Sequence, residues 1–112
     1  MIRRTFLRSA VLLGAFAAGV AASSPAAPVS ATIAIDNFTF SPAEVTVAAG
    51  AEVTWTNRDD IPHLVVDAGN PRQFKSAPLD TGDHFSFVFA HPGTYHYFCA
   101  LHPHMQGTVV VR

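Results

Sequence analysis

The chain is poor in several things at once, and each shortage removes a class of protein. It has a single cysteine, Cys99, so no disulfide can form within it. Only 13% of its residues are charged and the formal net charge is −1 with His neutral. No basic stretch supplies the footprint that nucleic-acid binding needs. No segment has a helical apolar stripe of useful length, and there is no internal repeat. The uncharged Ala/Gly/Leu/Val run from Val11 to Ala22 is diluted by Gly and Ala and is shorter than the ~20 apolar residues of a membrane span. No Ser/His/Asp set or paired carboxylates stand out, which argues against hydrolytic catalysis. At 112 residues, one domain is the ceiling.

What the N-terminus does have is an export signal. Arg3-Arg4 open a basic segment, the apolar run follows, and small residues continue through Ser23 to Ala27. Arg3-Arg4-Thr5-Phe6-Leu7-Arg8 resembles a twin-arginine signal, which is favoured here over a general secretory one. Residues 1–28 are therefore assigned to signal and leader, and residues 29–112 to one domain. Cleavage would remove three of the 7 basic residues, leaving 4 against 8 acidic ones and a net charge of −4. The expected destination is the periplasm, with no stable membrane span after processing. A lone cysteine in that oxidising compartment is an inert buried thiol, an intermolecular link or a ligand.

The rest reads as strands. Thr32-Ile33-Ala34-Ile35, Glu44-Val45-Thr46-Val47 and Glu52-Val53-Thr54-Trp55 alternate polar and apolar residues, as does His84-Phe85-Ser86-Phe87-Val88-Phe89. Ser41-Pro42, Ala49-Gly50 and His91-Pro92-Gly93 punctuate them. A short strand is expected over His63-Leu64-Val65-Val66, a brief edge strand near Gln73-Phe74, and a last strand from Gly107 to Val111. The pattern predicts an all-β sandwich or barrel of about eight antiparallel strands.

One stretch concentrates the chemistry. Cys99-Ala100-Leu101-His102-Pro103-His104-Met105 brings a thiol, imidazole and a thioether together directly after the strand Gly93–Phe98. Soft sulfur beside imidazole suits copper, and a His₂Cys set with a weak axial Met marks an electron-transfer copper site. Met1 leaves with the signal, so the only other sulfur in the mature chain is Met105. One more imidazole is required. His63 follows Pro62, which stiffens its approach. His84 and His91 lie at strand ends and read as solvated, and His96 shares a face with Phe98, opposite Tyr97 and Cys99. His104 could reach a metal, but the Cys99-x-x-His102-x-x-Met105 spacing is complete without it. His63 is the choice.

These residues resemble the cupredoxins, the type 1 blue copper proteins, and most closely their amicyanin branch. The resemblance rests on the short Cys99-x-x-His102-Pro103-x-Met105 segment, on Val53-Thr54-Trp55-Thr56-Asn57-Arg58, on Ile61-Pro62-His63 and on Gly93-Thr94-Tyr95-His96-Tyr97. It implies a Greek-key sandwich of eight strands holding one type 1 copper, with His63, Cys99, His102 and axial Met105 as ligands. It also implies a monomeric one-electron carrier rather than an enzyme, serving redox proteins such as an amine dehydrogenase or a c-type cytochrome. The electron would pass through His102 inside an apolar patch of Leu101 and Pro103 with Pro62 nearby, and Phe98 marks a second route.

Two departures from the family stand out. Leu64 and Ala100 replace an Asn and a hydroxyl residue that usually link the ligand segments, so a differently braced site is expected. Leu101 replaces a common Pro; its N–H could donate to the Cys99 thiolate and raise the potential, an effect that Leu101→Pro would remove. The competing function is copper delivery or storage using His104 and His96. Zinc would suit His and Cys but leave Met105 unexplained. Multicopper enzymes wire such a site to a second centre through His flanking the Cys, where this chain has Phe98 and Ala100.

Overall fold

The computed structural model describes residues 26–112; the export signal lies outside the described residues, apart from the end of its leader. In chain order the strands are β1 (Ser30–Asp36), β2 (Thr39–Ser41), β3 (Glu44–Val47), β4 (Ala51–Asn57), β5 (Val66–Asp67), β6 (His84–Phe89), β7 (Gly93–Cys99) and β8 (His102–Val111). No helix among the described residues is long and apolar enough to cross a membrane.

The strands form two four-stranded sheets, ordered β2-β1-β4-β6 and β3-β8-β7-β5. The chain passes repeatedly from one sheet to the other, which makes the sandwich that the alternation predicts. Two pairings correct the all-antiparallel expectation: β1 runs parallel to β4, and β3 parallel to β8. Alternation reports that one face is buried and carries no information on strand direction. Direction follows from the crossovers between sheets.

The inward faces meet around Trp55, which is fully buried in the middle of β4. Its indole packs against Phe74, Phe85, Phe89 and Tyr97, with Ile33, Val53 and Val109 also in the core. Phe85, Phe87 and Phe89 line the inner face of β6, while His84, Ser86 and Val88 face out. Burying an aromatic or large aliphatic side chain contributes about 1.5–3 kcal/mol. That accumulated burial makes the sandwich rigid enough to hold a site at one end.

Three local details matter for that site. The expected strand over His63–Val66 shrinks to Val66–Asp67, with His63 held by an isolated bridge to Leu79. Gln73-Phe74 forms no strand: Lys75 makes an isolated bridge to Val66, and Phe74 drops into the core because its ring fills space beside Trp55. Across β7 and β8, Tyr97 faces Gly107. A Cβ at Gly107 would come within 2.2 Å of the Tyr97 ring, so only glycine admits that ring at this crossing.

Candidate metal centre

β7 ends at Cys99 and β8 begins at His102, and these two residues are cross-strand partners. Ala100 and Leu101 make the turn between them. The expected loop is thus a tight hairpin, with a register shift between Phe98 and Cys99. It places Cys99 Sγ 3.8 Å from His102 Nδ1. Farther along β8, Pro103 and His104 stay exposed, and Met105 is buried in the core cluster with Cys99.

His63 arrives by a longer route. Asn57, fully buried at the end of β4, donates from Nδ2 to the carbonyls of Ile61 and Leu79, each at 2.8 Å. Its Oδ1 accepts the Asp59 N–H at 2.9 Å. These bonds fold residues 58–61 back against the sheet. The backbones of His63 and Leu79 then exchange hydrogen bonds in both directions. His63 is fully buried as a result, and its Nδ1 sits 3.6 Å from Cys99 Sγ.

The outward side of His63 is also occupied. Its Nε2–H donates to Asp59 Oδ2 at 2.8 Å, which leaves Nδ1 as the lone-pair nitrogen facing the sulfur. Burial raises the Asp59 carboxyl, but hydrogen bonds from the Phe38 N–H, His63 and the Asn37 N–H outweigh it and hold the group below its usual value.

The ligand atoms of His63, Cys99 and His102 all lie within 4.8 Å of one another. A first-row ion about 2.3 Å from a thiolate and about 2.0–2.1 Å from an imidazole requires an S···N distance of roughly 3.5–3.8 Å at bond angles of about 110–120°. The distances of 3.6 and 3.8 Å meet that requirement. The donor set also fits copper, since one thiolate and two imidazoles suit it, and Met105 is buried on the strand that His102 begins.

The fold and this donor set define a mononuclear copper-binding sandwich. The family model for copper-binding proteins of the plastocyanin/azurin family matches residues 27–112, and the chain belongs to that family. Amicyanin-alpha of Methylorubrum extorquens is 38% identical over 102 residues, covering 88% of this chain and 86% of its own. Amicyanin of Paracoccus denitrificans is 36% identical over 72 residues, covering 62% of this chain and 55% of its own. Among solved structures, a purple cupredoxin from Nitrosopumilus maritimus superposes with a TM-score of 0.68 at 35% identity, covering 73% of this chain and 99% of that one. An oxidised amicyanin variant gives 0.70 at 32% identity, covering 75% and 83%. The protein is a cupredoxin similar to the amicyanins, and its cofactor is copper at one type 1 site.

The remaining sequence candidates are dispersed. His84 and His91 are exposed, and His96 faces outward, its Nδ1 3.1 Å from Thr108 Oγ1. His104 is exposed with its ring centroid 6.5 Å from that of His102. Phe98 is half-buried, and the Arg72 guanidinium lies 5.5 Å over its ring.

The expectation for Leu101 needs correction. Cys99 Sγ accepts from the Leu64 N–H at 3.4 Å, and the Leu101 N–H is not among its partners. Leu101 sits in the two-residue turn and is 53% exposed. With Leu64 and Ala100 offering no side-chain link, this backbone donor joins the two segments, and the Asn57 bonds brace the approach to His63.

Sequence reading missed three participants: Asn57, Asp59 and Phe38. The Phe38 ring stands edge-on to His63 at 5.7 Å and to His102 at 5.1 Å. The available signal was its position. Asn37-Phe38 is a two-residue hairpin turn between paired Asp36 and Thr39, with both φ angles positive, where Asn-Gly would be ordinary. A bulky aromatic in glycine's place is a reason to look for a function.

Proposed function

We propose that this protein carries single electrons between redox proteins in the periplasm, with His63, Cys99, His102 and Met105 as the copper ligands. The observation that carries this reading is the clustered His63, Cys99 and His102 donor atoms, with only His102 reaching the surface. Copper bound there supplies a one-electron Cu(II)/Cu(I) couple. His63, Cys99 and Met105 exclude water, and the Asn57 and Leu79 bonds allow little movement around them. Small rearrangement favours rapid transfer. His102 offers its ring to a partner within an apolar rim of Leu101 and Phe38, which are 53% and 44% exposed, beside exposed Pro62 and Pro103.

The partner surface would suit an amine dehydrogenase, a c-type cytochrome or both in turn, with the protein acting as a monomer. Arg3-Arg4 and the following apolar run support export, preferably by the twin-arginine route, with residues 1–28 removed and residues 29–112 forming the domain. The reading is of a carrier rather than an enzyme.

An optical spectrum of the mature protein with Cu(II) tests it. An intense thiolate-to-copper absorption, lost in Cys99→Ala, together with reversible one-electron chemistry, is expected. A colourless protein that holds only Cu(I) would instead select delivery or storage, the reading favoured by exposed His104 beside His102.

A further inference from the structure

The β1–β2 turn reaches the metal cluster through contacts that the ligand spacing does not contain. Asn37 and Phe38 are adjacent non-glycine residues in the left-handed region, at φ 52° and 60°. Asn enters that region readily, but for a bulky aromatic such as Phe38 it is strained and persists only where neighbours enforce it. Asp59 is the enforcing group. Its Oδ1 accepts the Asn37 N–H at 2.6 Å and its Oδ2 accepts the Phe38 N–H at 3.0 Å. The same Oδ2 accepts from His63 Nε2. Asp59 is itself fixed from behind: its N–H donates to Asn57 Oδ1, and its carbonyl accepts from Thr81 Oγ1. One carboxylate thus ties a strained turn to a buried imidazole, and that turn lays the Phe38 ring against both His63 and His102.

We propose that Asp59 is the positioning residue of the copper centre, setting the direction and donor strength of His63 while holding Phe38 as a cover across both imidazoles. A carboxylate on the outer nitrogen of a ligand imidazole fixes its tautomer and raises its basicity. The negative charge favours the more highly charged Cu(II) state over Cu(I). Phe38 brings no charge and acts by restricting access to the cluster. The two contributions are therefore separable by experiment.

Three variants of the copper-loaded protein separate them. Asp59→Asn retains an oxygen acceptor but loses the charge. Copper affinity should fall about 10–100-fold. Because the loss falls more heavily on Cu(II), the reduction potential should rise, by about 59 mV for each tenfold preferential loss. Asp59→Glu keeps the charge, so its potential should stay nearer to that of the unmodified protein. Phe38→Gly relieves the turn and removes the ring; copper should then pass to a chelator faster with little change in potential.

The copper-free protein gives an independent readout. Amide exchange at Asn37 and Phe38 should accelerate in Asp59→Asn, which decides the clamp even if that variant holds copper poorly. An unchanged potential in Asp59→Asn would overturn the electrostatic role, and unchanged exchange at the two amides would overturn the clamp. A rise in potential as large in Phe38→Gly would assign the effect to solvent access and sink the proposal.

Discussion

The two segments that supply the candidate ligands are held in opposite ways. Cys99, His102 and Met105 come from one hairpin, where cross-strand pairing sets the spacing and seven residues contain all three. His63 comes from a connection with almost no strand character, placed by side-chain and backbone bonds from Asn57, Asp59 and Leu79. The hairpin half is specified by regular secondary structure. The His63 half depends on individual polar groups, each of which a single substitution can remove.

The largest expected effect strikes the hairpin. Gly107→Ala would drive a Cβ into Tyr97, whose ring is buried between Phe40 and Trp55 and has nowhere to move. Overpacking typically costs about 1–3 kcal/mol, and a contact this short belongs at the upper end. Denaturant unfolding of the copper-free protein should show that loss, and the Cys99–His102 pairing farther along the same hairpin should loosen with it. A stable variant with an unchanged copper spectrum would show that the hairpin register is not what holds those ligands.

Asn57→Ala strikes the other half. It strands the Ile61 carbonyl and the Asp59 N–H and leaves the Leu79 carbonyl with the His63 N–H alone, at a cost of about 2 kcal/mol. The expected signature is selective: faster copper loss and faster amide exchange around His63, with protection across β7 and β8 retained. Equal loosening of both segments would erase the distinction between them.

The smallest effect at neutral pH belongs to Tyr97→Phe, which touches neither segment's ligands. Tyr97 Oη and Trp55 Nε1 are buried without a hydrogen-bonding partner in good geometry, so removing the hydroxyl should change stability by less than about 1 kcal/mol. The difference emerges in alkali. Burial pushes the Tyr97 hydroxyl up to about 12, against an ordinary value of 10.0, the Trp55 indole offsetting a little of that rise. A raised folded-state value means the contribution is complete below pH 10 and is lost as pH climbs toward 12, up to about 2–3 kcal/mol. Unfolding curves across that window should decline for the unmodified protein and stay flatter for Tyr97→Phe.

The contrast between the segments also explains what could be read in advance. The strands of both sheets were legible because period-2 burial is written locally, as in β4 and β6. The Cys99-x-x-His102-x-x-Met105 spacing was legible for the same reason. His63 could be picked from its Pro62 neighbour and from the face arguments against its rivals. The extent of its strand could not, since it depends on a bridge to Leu79, 16 residues on. The Leu101 expectation went astray because the sequence does not show which of two amides points at a sulfur.

By itself, then, the sequence determined a β-sandwich, the hairpin that carries Cys99 and His102, and the chemical character of these candidate donors, since each depends on neighbours in the chain. Only the tertiary structure decided strand direction, the Leu64 donor to Cys99, and the meeting of Asp59 with both His63 and the Asn37-Phe38 turn. Apart from the Asp59–His63 pair, those contacts join residues more than twenty positions apart, and they exist only where the packed sheets bring separate loops to one end of the molecule.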